Sequence, residues 1–149
     1  MAVATSISSV QVFAAGSRRR TRVLGVLAAV AGAFTTWTIA GPILGARMLV
    51  PDNGVILHIT WDRVLVIAPL VSLLGWGLIA VLERFVARRA RAIWTVAAGA
   101  VLLLSFVKPL FSEGVTPGTR VGLCLTHITL AAILIPVIRR TSKAAQPNS

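Results

Sequence analysis

Four apolar segments, each about long enough to cross a bilayer, alternate along this chain with arginine-rich and arginine-poor connections. A spanning helix needs about 20 mostly apolar residues, because a rise of ~1.5 Å per residue must cover roughly 30 Å of hydrocarbon. With no water in that layer to satisfy backbone groups, segments of this kind must be helical. The expectation is an all-α fold, an integral membrane four-helix bundle with helices at about 23–41, 64–83, 92–107 and 121–138. The helices lie in a domain over 23–140, between an N-terminal tail, 1–22, and a polar tail, 141–149.

Charge gives the orientation. The 149 residues carry a formal charge of +11 although only 13% are charged and 56% are hydrophobic. Nucleic-acid binders display such charge on a polar surface; here the arginines punctuate apolar runs, so no nucleic-acid partner is expected. Arg18, Arg19, Arg20 and Arg22 precede the first segment, Arg84, Arg88, Arg89 and Arg91 join the second to the third, and Arg139, Arg140 and Lys143 follow the fourth. The other two connections hold only Arg47, Arg63, Lys108 and Arg120. Eleven against four is a positive-inside bias, which predicts both termini in the cytoplasm and the bundle in the cell (inner or plasma) membrane. The acids Asp52, Asp62, Glu83 and Glu113 fall at or beyond the expected helix ends, so none needs burial in hydrocarbon. A basic cluster before an apolar run also resembles a secretory signal, with Thr38-Ile39-Ala40 as small residues for cleavage. The length of that run and the three segments after it favour an uncleaved helix.

Proline and glycine mark the breaks. Pro42 ends or kinks the first helix, since it lacks a backbone donor. Pro51-Asp52-Asn53-Gly54 is turn chemistry, and Val55 to Trp61 reads as extended or interfacial. Lys108-Pro109 stops the third helix. Small residues offer close helix contact, which matters where lipid removes the hydrophobic drive between helices. The first helix has Ala28, Gly32, Thr36 and Ala40 four apart, widened by Gly25, Ala29 and Ala33, and should sit against a neighbour in the same chain. The alternative is a homodimer seam through Gly41 and Gly45. Trp61 and Trp94 read as interfacial belt residues, Trp37 and Trp76 as packed between helices. Cys124 stands alone in an apolar run, so it forms no internal disulfide and reads as a small apolar residue.

His127 asks for an explanation. It falls about six residues, or roughly 9 Å, into the fourth helix, and an ionisable group at such depth is a functional-site hypothesis. Thr126 and Thr129 flank it, and the antiparallel order brings Thr36 and Ser105 to the same outer level, with His58 and Asp62 in the adjoining loop. These six, His127, Thr126, Thr129, Ser105, Thr36 and Asp62, form a candidate polar pocket. It reads first as interhelical hydrogen bonding and second as an outward-facing pocket for a small molecule or lipid headgroup. Metal or haem ligation by His127 with His58, as in a redox anchor subunit holding haem or quinone, is a remote third reading. Paired carboxylates, a phosphate-gripping glycine loop and a zincin motif are all missing. No catalytic residue, metal or cofactor is therefore expected, and the chain does not read as an enzyme.

One likeness covers helices two to four. Gly75-Trp76-Gly77-Leu78 running to Leu82-Glu83-Arg84, then Trp94, Leu104-Ser105, Lys108-Pro109-Leu110, Thr126-His127 and Ala131-Ala132-Ile133-Leu134-Ile135-Pro136 carry it. In order and spacing they resemble the actinobacterial four-helix membrane protein family, domain of unknown function 6069. Members often have glycine where Lys108 stands. The resemblance implies a four-helix inner-membrane protein and supplies no activity. The leading expectation is thus a non-enzymatic structural or accessory membrane component. Its partner is the lipid bilayer, with a membrane-protein partner or a homo-oligomer as further expectations. The alternative is a small-molecule or lipid-binding or transport protein.

Overall fold

The computed structural model describes the backbone of residues 3–52 and 54–142, and the side chains of 16–51 and 54–142. Helix α1 covers Val3–Thr38 and runs into a single π-helical turn, Ile39–Ile43, which contains Pro42. Pro42 has no N–H, and its ring crowds the carbonyl one turn back. The wider turn absorbs that conflict, with the Leu44 N–H reaching the Ile39 carbonyl at 2.9 Å. Strands β1, Leu49–Asp52, and β2, Val55–His58, then form an antiparallel hairpin pairing Leu49 with His58 and Asp52 with Val55. Gly54 in its turn has φ +82°, the conformation expected of the Asn-Gly pair. The all-α expectation is therefore corrected by one small hairpin, and Val55 to His58 is extended.

Helices α2, Trp61–Phe85, α3, Ala90–Ser105, α4, Val107–Phe111, and α5, Pro117–Thr141, complete the chain. Four stretches, Gly16–Ile43, Trp61–Phe85, Ala90–Phe111 and Pro117–Thr141, are long and apolar enough to cross a membrane. Leu24, Leu74, Val96, Leu103 and Leu104 point outward on them. The helix ends differ from those read in the sequence: α1 starts well upstream of Val23 and α5 continues to Thr141. Arg22 thus belongs to the bundle rather than to a tail. The polar tail beyond Ser142 lies outside the described residues.

Each helix buries little, and the buried face of α1 is small. Ala29 and Ala33 are fully buried, whereas Ala28 faces outward. A methyl group built on Gly25 would lie 2.5 Å from Val137 Cγ1, and one on Gly32 would lie 2.9 Å from Ile133 Cδ1. The neighbour expected for the first helix is therefore α5, with α2 beside it at Val64 and Ala68. Gly45 has φ +72°, so Gly41 and Gly45 do not share a helical face. Trp94 is corrected too. It is 4% exposed, packs with Ile79, Ala90 and Ile138, and donates its indole N–H to the Gly75 carbonyl at 2.8 Å. Trp61 is exposed, and the Trp37 indole bonds the Ile59 carbonyl at 2.9 Å.

The hairpin is tied to the bundle by Met48. This buried residue has φ 50°, and its N–H donates to the Thr119 hydroxyl at 3.2 Å. Thr119 is fully buried. Thr119→Val keeps the shape but leaves that N–H without an acceptor, a loss of about 1–3 kcal/mol. The expected result is a lower unfolding temperature in detergent, with Thr119→Ser close to the parent.

Candidate functional site

The residues of the polar candidate are separated by helical geometry. Successive residues of α5 are about 100° apart, as 3.6 residues per turn requires, so Thr129 lies about 200° round the axis from His127. Thr129 accordingly meets Thr36 in the α1–α5 seam, hydroxyl to hydroxyl at 3.2 Å. His127 faces the other way, and with Thr126, which is only about 60° from Thr129, it lines a half-open cavity of 240 Å³ bounded by α1, α2 and α5. Ser105 donates instead to the Leu102 carbonyl at 2.6 Å. Asp62 is exposed at the start of α2, and His58 is exposed on β2. Among the described residues, Ser105, Asp62 and His58 are all off the cavity wall. One pair and one couple come together; the six do not form one pocket.

The cavity is mostly apolar. Trp37 and Ile59 lie toward its hairpin end, the buried Ala33, Val64 and Ala68 line its middle, and Val71 and Leu130 lie farthest from the hairpin along α2 and α5. Its polar groups are Arg63, Thr126 and His127. His127 Nδ1 lies 2.7 Å from the Leu123 carbonyl oxygen, one turn back. A carbonyl only accepts, so this nitrogen carries the hydrogen and, in the neutral ring, Nε2 is left as an acceptor. The Phe106 ring meets the imidazole edge-on at 6.4 Å between centroids. Thr126 donates to the Gly122 carbonyl at 2.8 Å. The hydrogens of both side chains therefore go to their own helix. What remains is a hydrophobic slot with acceptor groups on its α5 wall and a cation in the first turn of α2.

In the sequence Arg63 reads as one of the loop charges, and only the fold brings it to the slot. Arg120 on the same end is committed elsewhere, donating to the carbonyls of Val115 at 3.2 Å, Ser112 at 3.0 Å and Leu110. The opposite end of the bundle holds a second polar centre that sequence reasoning missed. Arg22 Nη2 lies 2.7 Å from Glu83 Oε1, with both side chains under one-tenth exposed. Arg22 also donates through Nε to the Thr141 hydroxyl at 3.0 Å and through Nη2 to the Thr141 carbonyl at 2.9 Å. This clamp joins α1, α2 and α5. A signal was present: Glu83 is the only acid in the arginine-rich connections.

A family model described as a family of unknown function (DUF6069) matches residues 13–144. No curated protein and no solved structure matches the chain. The match spans almost the whole sequence, so the chain belongs to that family.

Proposed function

We propose that this member of the family is a non-enzymatic structural or accessory component of the plasma membrane, threaded four times with both termini in the cytoplasm. What supports this reading is where the polar side chains spend their hydrogens. Thr38, Ser72, Thr95, Ser105, Thr126 and His127 each bond a carbonyl three or four residues earlier in their own helix. Catalysis needs acid, base and nucleophile aimed together at a reacting atom; these side-chain donors are instead satisfied by carbonyls of their own helices. The partners on this reading are the bilayer and another membrane protein or a second copy of the chain.

The topology has a direct test. In a Cys124→Ala background, single cysteines replace Gly54 in the hairpin or Ala87 in the α2–α3 connection, and intact cells are treated with an impermeant maleimide. Labelling at position 54 without permeabilisation, and at position 87 only after it, is the expected pattern. The reverse pattern, or release of the protein by carbonate, refutes the topology.

A second reading is favoured by the cavity itself: the slot beside His127 binds a small apolar molecule or lipid, and the accessory role is to hold or pass on that molecule. Its volume of 240 Å³ is below the ~300–1,000 Å³ of sites for drug-sized ligands. The occupant is therefore slim.

A further inference from the structure

We propose that the slot between α2 and α5 binds a single-chain carboxylate amphiphile, a long-chain fatty acid, with its alkyl chain along the slot and its carboxylate at Arg63. The proposal rests on the ligand-binding reading above and names the ligand class.

Shape is the first argument. On α2 the wall runs from Arg63 to Val71, about 12 Å at ~1.5 Å per residue. On α5 it runs over a similar length from Leu123 to Leu130. The volume of 240 Å³ is small beside the ~300–1,000 Å³ of drug-sized sites, so a slim single-chain ligand suits the slot better than one with two chains.

Polarity is the second. The slot is graded along its length: Val71 and Leu130, farthest from the hairpin, are apolar, and Arg63 stands near the hairpin end. Among the described residues Arg63 forms no salt bridge; it is exposed like Asp62, its neighbour in sequence, whose charge it feels but whose side chain is off the wall. A guanidinium holds a carboxylate through two parallel charge-assisted hydrogen bonds, which a neutral alcohol cannot reproduce.

The test uses the full chain in phosphatidylcholine nanodiscs and reads tryptophan fluorescence, since Trp37 lines the slot. A fatty acid brominated near mid-chain is titrated beside the fatty alcohol of the same length and brominated phosphatidylcholine. We expect saturable quenching by the acid, about tenfold tighter than by the alcohol. Arg63→Gln should bring the acid down to the affinity of the alcohol. Ala68→Phe, which fills the middle of the slot, should abolish saturation for both. Equal binding of acid and alcohol to the parent protein overturns the carboxylate assignment alone. Quenching that stays linear for every amphiphile, with no difference between the parent and Ala68→Phe, overturns the ligand-binding reading with it. If the part of the quenching by brominated phosphatidylcholine that Trp37→Phe removes is not relieved by the acid, the slot belongs to a phospholipid chain and the proposal is refuted; the exposed Trp61 is quenched by bulk lipid in either case.

Discussion

Glu83→Ala is expected to destabilise the bundle by about 3–5 kcal/mol, the usual loss when one member of a buried ion pair is removed and the other stays charged. Arg22 and Glu83 are 9% and 7% exposed in their side chains, so water reaches neither freely. The guanidinium cannot escape by losing its proton, because arginine stays charged in proteins. Its remaining contacts with the Thr141 hydroxyl and carbonyl solvate part of the charge, which holds the loss below the unscreened limit. Thermal unfolding in detergent, followed by circular dichroism, measures the effect. The double variant Arg22→Met with Glu83→Leu should recover most of it, since apolar replacement of both partners is often neutral. If Glu83→Ala unfolds at the temperature of the parent, the clamp contributes nothing to holding α1, α2 and α5 together. Thr141→Val should have a smaller effect, because it removes one of the acceptors of Arg22 and leaves the ion pair.

The four apolar helices were legible because their signal is long and one-dimensional: length and hydropathy suffice, and no knowledge of neighbours is needed. The pairing of Arg22 with Glu83 was not, because they lie on different helices and both had a sufficient explanation as end-of-helix charges. The polar candidate is divided for another reason. Thr36, Ser105, Thr126, His127 and Thr129 were grouped by depth, and depth says nothing about which side of a helix a residue occupies. The periodicity that would have split His127 from Thr129 was in the sequence all along. Trp94 was placed at an interface from its position near a helix start, yet the Gly75 carbonyl gives its indole N–H an internal partner. The hairpin was half legible. Pro51 to Gly54 announces a turn, but the docking of the hairpin on the bundle depends on Met48 and Thr119, which are far apart in sequence.

Gly122→Ala should force α1 and α5 apart at the hairpin end and destabilise the protein by about 1–3 kcal/mol, the range for overpacking a well-filled contact. The added Cβ would lie 2.7 Å from Ala40 Cβ and 2.9 Å from Met48 Cε. Met48 can swing its terminal methyl away; Ala40 cannot, because its Cβ is rooted in the helix backbone. The backbones must then separate, and in lipid the dispersion lost by that separation is not replaced by a hydrophobic drive between helices. Such a shift also lengthens the 3.2 Å bond from the Met48 N–H to Thr119 and moves Leu123 on the slot wall. Gly122→Leu should be worse than Gly122→Ala. Gly77→Ala is the control: nothing lies within 4 Å of its added methyl, so the better helix propensity of alanine should make it neutral or slightly stabilising. The decisive variant is Ala40→Gly combined with Gly122→Ala, which moves the methyl group from one helix to the other. Recovery of the unfolding temperature by that exchange identifies this contact as the cause. Failure to recover, with Gly122→Ala still destabilised, places the strain elsewhere on α5.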